Sequence, residues 1–136
     1  MIPAEQLVPH DPDNKVYGDC FRAVLASLLE MKIEEVPHIM FDNPDVDTYN
    51  KRLHEFLEPM GFFYLQIPKW DFDAWKAGSF INGDVYHEIS GDSPRFPGTL
   101  HSVVGCNGKM VHDPHPTKLG LASIEAFGFL VRKNCI

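Results

Sequence analysis

The chain has little cysteine and no CxxC pair among its 136 residues. The three cysteines, Cys20, Cys106 and Cys135, are odd in number and far apart, which argues against a disulfide framework or a zinc site built from cysteines. The opening stretch MIPAEQLVPHDPDNK has no basic segment followed by an apolar run, so no signal peptide is expected. A reducing, cytoplasmic location therefore fits the sequence best.

Basic clusters and long apolar runs are also missing. Twelve Lys and Arg against 19 Asp and Glu give a net charge of −7, and no basic stripe is present, which disfavours a nucleic-acid partner. No apolar stretch approaches the length of a membrane span, so no membrane partner is expected. The hydrophobic fraction of 44% is ordinary for a soluble protein, and the length predicts one domain over residues 1–136.

Hydrophobic periodicity and turn residues predict an α+β fold with helices first and an antiparallel sheet after them. The proline-containing residues 1–16 are predicted to be an irregular arm, and Gly91 to Gly98 a loop. Ser79 to Tyr86 is only a weaker apolar run. The predicted elements are helices over 19–31 and 47–60, a helical turn within 72–77, and strands over 62–67, 100–104, 109–112 and 127–132.

Cys20 stands in the first turn of the strongest predicted helix, with Asp19 placed to cap it. A helix N-terminus and a neighbouring imidazole both stabilise a thiolate. A thiol hydrolase also needs a histidine base and a third group that orients the imidazole. His101 near the start of one predicted strand and Asp113 after the next are the candidates for these roles.

A predicted hairpin turn at Asn107-Gly108 joins these two strands. In an antiparallel hairpin, residues equally far from the turn face each other. Position 107 is midway between His101 and Asp113, so the two side chains are predicted to be cross-strand neighbours within contact range.

Three segments carry a family resemblance: GDCFRAVLASLLEMKIEEVPHI, LHSVVG and MVHDPHP. Together they resemble a family of small bacterial and phage-encoded proteins with a papain-like cysteine-peptidase fold, similar to the double-glycine-leader peptidases. The resemblance implies a helix carrying Cys20 packed on a small antiparallel sheet. It also implies Cys20 as nucleophile, His101 as base, Asp113 as orienting acid, a protein or peptide substrate, and no cofactor.

The resemblance leaves the oxyanion donor open. Papain-like enzymes usually supply a glutamine shortly before the cysteine, and here the candidates are Gln6, fourteen residues before Cys20, and Asn14, six before it. Substrate contacts are expected from two pairs of residues. They are Gly18 and Asp19 beside the nucleophile, and Trp70 and Trp75 as cleft walls.

Other interpretations compete with a cysteine hydrolase. Cys20 could be a small core residue, and the fold could serve as a binding or inhibitory module for a host protein. A metal site could use His101, His112, Asp113 and His115, with Cys20 as a thiolate ligand, but the spacing typical of zinc sites is missing. Side chains alternate along a strand, so His112 is expected to face away from Asp113. Acyl transfer to an amine would use the same Cys20 chemistry as hydrolysis.

Overall fold

The computed structural model describes residues 1–75 and 83–133, and these form a mixed helix and sheet arrangement of the α+β type. Short 3₁₀ turns cover Pro12–Asn14, Ile33–Glu35 and Glu58–Met60. The helices are α1 (Cys20–Leu29), α2 (Val46–Leu57) and α3 (Lys69–Trp75), and the strands are β1 (Phe62–Pro68), β2 (Tyr86–Asp92), β3 (Leu100–Cys106), β4 (Lys109–His112) and β5 (Ser123–Arg132).

The five strands form one antiparallel sheet in the order β1-β5-β2-β3-β4. Helices α1 and α2 pack with Leu130 on one face of the sheet, and α3 packs with Phe127 and Phe129 on the other. The alternation of side chains along β5 explains this division, because Leu130 points opposite to its neighbour Phe129. Among the described residues, no helix is both long and apolar enough to cross a lipid bilayer.

Helix α1 is almost wholly buried because small side chains line it. Ala23, Ala26 and Ser27 have no exposed surface, and they allow α1 to pack closely against β3. The helix ends at Glu30, whose left-handed backbone (φ 56°) directs its N–H back to the carbonyls of the last turn. This packing fixes Cys20, the first helical residue, against the sheet.

The N-terminal arm is irregular, as predicted, but it is tied down along its length. The backbone N–H groups of Leu7 and Val8 donate to the Asp19 carboxylate at 2.9 and 2.8 Å. The backbone N–H of Gln6 donates to the carbonyl of Pro114 at 3.0 Å. Asp19 therefore occupies the N-cap position of α1 without capping it through its side chain, since that carboxylate holds the arm instead.

The central strand β2 was not predicted, and this is the main correction to the expected fold. The sequence predicts only a weak apolar run over 79–86 and a loop from Gly91 in this region, whereas β2 covers Tyr86–Asp92. Its pattern is hidden because Glu88 and Ser90 are polar yet buried. Residues 79–82 of the weak run, and 76–77 of the predicted helical turn, lie outside the described residues. The predicted helix over 47–60 is α2 followed by a 3₁₀ turn.

Candidate active site

Cys20 begins α1 and is only partly buried. Its backbone N–H belongs to the first turn, where N–H groups have no partner within their own helix. The thiol is close enough to the His101 side chain to raise the pKa of that imidazole. The helix thus places a thiol beside an imidazole.

His101 and Asp113 form a buried pair. His101 Nε2 donates to Asp113 Oδ1 at 2.8 Å, and the two residues are 4% and 3% exposed. The same Oδ1 accepts the backbone N–H of His115 at 2.9 Å, and Oδ2 accepts that of Gly120 at 2.7 Å. Because Nε2 is engaged with the carboxylate, Nδ1 is the ring nitrogen left to exchange a proton with Cys20.

Charge on both members of the pair is stabilised. Burial lowers the pKa of His101, but hydrogen bonds to Asp113 and Cys20 outweigh it and raise that pKa to about 9. Burial raises the pKa of Asp113, but the bonds from His101, His115 and Gly120 lower it to about 2. At neutral pH the imidazolium and the carboxylate are therefore the favoured forms. An imidazolium beside a thiol is the partner that a reactive thiolate needs.

The predicted contact between His101 and Asp113 is present, but the predicted register is wrong. Equal distances from position 107 would place Val104 opposite Met110. The strands instead pair Val104 with His112 and Gly105 with Met110, with a bulge between these pairs. Asp113 lies just beyond the end of β4, and its side chain reaches His101 despite the shift.

Of the two candidate oxyanion donors, only Gln6 lines the cleft around Cys20. Its Nε2 donates to the carbonyl of Val8 at 3.0 Å, and its Oε1 is buried without a hydrogen-bond partner among the described residues. Asn14 is exposed and donates to Asp11 at 2.7 Å, away from the cleft, so its assignment is wrong. Sequence distance misleads because paired backbone bonds between Asp11 and Val16 close a loop, which returns the chain toward its starting point.

Gly18 lines the cleft as expected, whereas Asp19 does not. The backbone N–H of Gly18 donates to His10 Nδ1 at 3.1 Å, and a Cβ at Gly18 would lie 3.1 Å from the Cβ of His10. Only glycine allows so close an approach without displacing His10. Asp19 is 1% exposed, and its carboxylate is engaged with the arm, so it positions its neighbours rather than contacting substrate.

The expected aromatic wall is also not formed by Trp70, which is 72% exposed and lies outside the cleft lining. The side chain of Trp75 lies outside the described residues. Between them, Phe72 is fully buried and stacks on Phe127 with 3.9 Å between ring centroids. This part of α3 packs the core behind the sheet.

The cleft that contains Cys20 and His101 has a volume of about 700 Å³. Several of its residues were not anticipated as site residues, because they lie on the unpredicted strand, on β1 or α2, or in loops. They include His10, Tyr49, Tyr64, Glu88, Arg95 and Phe96. His115, one of the candidate metal ligands, also lines the cleft, and its imidazole lies 6.2 Å from that of His101, edge to face.

Glu88 is the most unusual of these residues, because it is a carboxyl with 3% exposure on the central strand. Ser102 Oγ donates to its Oε1 at 2.5 Å, and the Tyr64 hydroxyl donates to Oε2. Burial raises the pKa of Glu88 to about 7, against the opposing effect of the Ser102 bond. A glutamate in a polar strand pattern gives no sequence signal that distinguishes it from a solvent-facing one.

Within the described residues, no group of three or more His, Cys, Asp or Glu side chains is arranged to hold a metal ion. His112 is turned away from Asp113, as predicted, and its Nε2 lies 2.8 Å from the carbonyl oxygen of Ala4.

A scan against protein-family models gives no match, and searches of curated proteins and of solved structures give no significant match either. The resemblance to papain-like peptidases therefore stays a prediction.

Proposed function

We propose that the protein is a cysteine hydrolase that cleaves an amide, isopeptide or thioester bond in a protein or peptide substrate. The observation that carries this proposal is that Cys20 and His101 line one open cleft, while the buried Asp113 accepts a hydrogen bond from His101 behind it. Each of the three has the environment that its role requires. The nucleophile is partly exposed at a helix N-terminus, the base is buried beside it, and the orienting carboxylate is fixed by two backbone donors.

In the proposed reaction, the Cys20 thiolate attacks the carbonyl carbon and forms a tetrahedral oxyanion. The backbone N–H of Cys20 is positioned to bind this oxyanion, and the Gln6 amide is the second donor. The His101 imidazolium then gives its proton to the leaving group as the bond breaks, which leaves a thioester on Cys20. Water, deprotonated by the neutral His101, attacks the thioester. Collapse of the tetrahedral intermediate then releases the acid and the Cys20 thiolate, which again lies beside the His101 imidazolium.

The order of the three residues in the chain, and a helix bearing the cysteine packed on an antiparallel sheet, support a papain-like fold for the domain. The Nε2 of Gln6 carries two hydrogens and gives one to Val8, so the second supports a role as oxyanion donor. Its neighbours on the arm are bonded to Asp19, so Gln6 is held in place rather than free to swing.

Formation of an acyl-enzyme tests the proposal. The protein would be incubated with a p-nitrophenyl ester, and the mass of every cysteine-containing peptide would be followed from pH 6 to 8. We expect acylation of Cys20 ahead of Cys106, a burst of p-nitrophenol, and loss of both in Cys20→Ala and in His101→Ala. The matched control is Cys106→Ser, which lies outside the cleft lining.

Equal acylation of Cys20 and Cys106, or a rate for Cys20 that does not change in His101→Ala, would refute the hydrolase. The cleft would then be investigated as a binding surface. With acylation established, libraries of peptides, isopeptides and thioesters would identify the bond that is cleaved.

A further inference from the structure

We propose that Glu88 determines specificity and that the cleft accepts a basic side chain of the substrate, a lysine or arginine, at the end where Glu88 lies. This inference rests on the proposed function and adds a substrate class to it. It starts from a carboxyl that the triad chemistry does not use.

Glu88 lines the same cleft as the two reacting groups, Cys20 and His101. Ser102, which donates to its Oε1, and Tyr64, which donates to its Oε2, line this cleft as well. Tyr64 packs edge-on against Phe21, with 5.8 Å between ring centroids and an interplanar angle of 83°. A substrate side chain bound at Glu88 would therefore share the cleft with a bond held between Cys20 and His101.

The carboxyl has two hydroxyl neighbours but no cationic one. Within the part of the chain that the structure describes, no Lys or Arg forms an ion pair with Glu88, and the two hydroxyl donors leave further lone pairs on both oxygens. Gly128 on β5 leaves space for the contact between Tyr64 and Glu88, because it has no side chain. A Cβ there would overlap the Tyr64 hydroxyl and come within 2.5 Å of Glu88 Oε2.

A buried carboxyl without a cation is unfavourable, and this explains its raised pKa of about 7. A bound ammonium or guanidinium would remove that penalty and donate charge-assisted hydrogen bonds to the free lone pairs. In the empty cleft, burial destabilises the ionised form of Glu88, and a bound basic ligand would remove this destabilisation.

Other charged side chains in the cleft also affect where a cationic ligand would bind. Arg95 lines the same cleft and donates to Thr117 Oγ1 at 3.0 Å, and Thr117 Oγ1 is 2.8 Å from the Nδ1 of His115. A cation would be repelled by Arg95 and attracted by the two carboxylates that line the cleft, Glu88 and Asp45, of which only Glu88 is buried. The net charge of −7 also favours the approach of a cationic substrate.

Binding of small cations to Cys20→Ala tests the site without any need for catalysis. Agmatine and n-butylamine would be titrated while the backbone amides of Glu88 and Ser102 are followed by NMR, with n-butanol as the neutral probe. We expect saturable shifts with the two cations. In Cys20→Ala/Glu88→Gln, the affinity for cations relative to n-butanol should fall by at least about tenfold, the worth of one charge-assisted hydrogen bond.

Cation affinity that is equal in the two variants, or no saturable shift with either cation, would overturn the proposal. Glu88→Asp serves as the second variant because it keeps the charge, and it should restore part of the cation preference if the first variant folds poorly. A circular dichroism melt reports whether each variant is folded.

Substrate turnover then separates this inference from the proposed hydrolase. For paired peptides that differ only in lysine or norleucine, the ratio of kcat/KM should fall at least about tenfold in Glu88→Gln. Acylation of Cys20 with no lysine preference would overturn the specificity inference alone. Cation binding without acylation would refute the hydrolase alone.

Discussion

Replacing Asp113 by Asn tests the buried pair that it forms with His101, because the change keeps the shape of the side chain and removes its charge. Asp113 accepts three donors, from His101, His115 and Gly120. The amide oxygen of Asn can keep the two donors on Oδ1, but its NH₂ group then faces the N–H of Gly120. One buried donor is left without a partner, which costs about 1–3 kcal/mol of folding free energy.

The same substitution destabilises the protonated form of His101, because its hydrogen-bond acceptor loses its charge. A hydrogen bond to a charged acceptor contributes about 1.5–3 kcal/mol and a neutral one about 0.5–1.5 kcal/mol, so the difference is about 1–2 kcal/mol. The population of the pair between the Cys20 thiolate and the His101 imidazolium should therefore fall about 5- to 30-fold. Alkylation of Cys20 by iodoacetamide at pH 6 should slow by a similar factor.

The assay is alkylation measured separately at each cysteine by mass spectrometry. Burial and the neighbouring Asp84 raise the pKa of the Cys106 thiol, so Cys106 serves as a slow internal reference. The matched control is Asp92→Asn, which makes the same charge change outside the cleft lining. A ratio of Cys20 to Cys106 rates that is the same in Asp113→Asn and in the wild type would refute the proposed coupling.

The pH dependence of this loss also follows from the two pKa shifts. The raised pKa of His101 stabilises the fold fully below about pH 6.5, and the effect is lost as pH rises through about 9. The lowered pKa of Asp113 stabilises the fold above about pH 3.8, and this effect is lost as pH falls through about 2. The stability difference between wild type and Asp113→Asn should be largest between these limits, at about pH 4–6.5.

Three further substitutions test separate parts of the structure. Glu88 has a folded pKa of about 7 against 4.5 unfolded, so wild-type stability should fall by roughly 3 kcal/mol as pH rises from 4.5 to 7. Urea unfolding of Glu88→Gln at both ends of this range should show no such fall. Gln6→Ala should slow acylation of Cys20 by roughly 10²-fold or more in the ester burst assay, while Asn14→Ala should not change it. Asp19→Ala should lose about 2–6 kcal/mol in denaturant unfolding, because two N–H groups lose their acceptor at about 1–3 kcal/mol each, and limited proteolysis should then cut the arm.

Much of the fold could be predicted because its signals are local. The three- and four-residue spacing of apolar side chains gives α1, and Asn107-Gly108 gives the hairpin of β3 and β4. The chemistry of a thiol hydrolase then selects Cys20, His101 and Asp113 from few alternatives. These predictions need only neighbouring residues or a single turn.

The rest depends on tertiary structure. Strand β2 is hidden because its buried positions include Glu88, whose polarity is compensated by hydroxyls from other strands. The placement of Gln6 near Cys20 cannot be predicted from the sequence, because it depends on the loop that the backbone bonds between Asp11 and Val16 close. The bulge that shifts the β3–β4 register lies between Val104 and Gly105, and a glycine inside a strand pattern was the only sequence signal that could have indicated it.

The chain between Asp11 and Val16 forms a closed loop, so its length can change without moving the residues of the site. Two backbone hydrogen bonds, of 2.7 and 3.0 Å, fix its base, and its tip over Pro12–Asn14 is exposed. Residues inserted at the tip would extend into solvent without moving the chain on either side. The loop is thus a place to attach a fluorophore or a short epitope that reports on the neighbouring cleft.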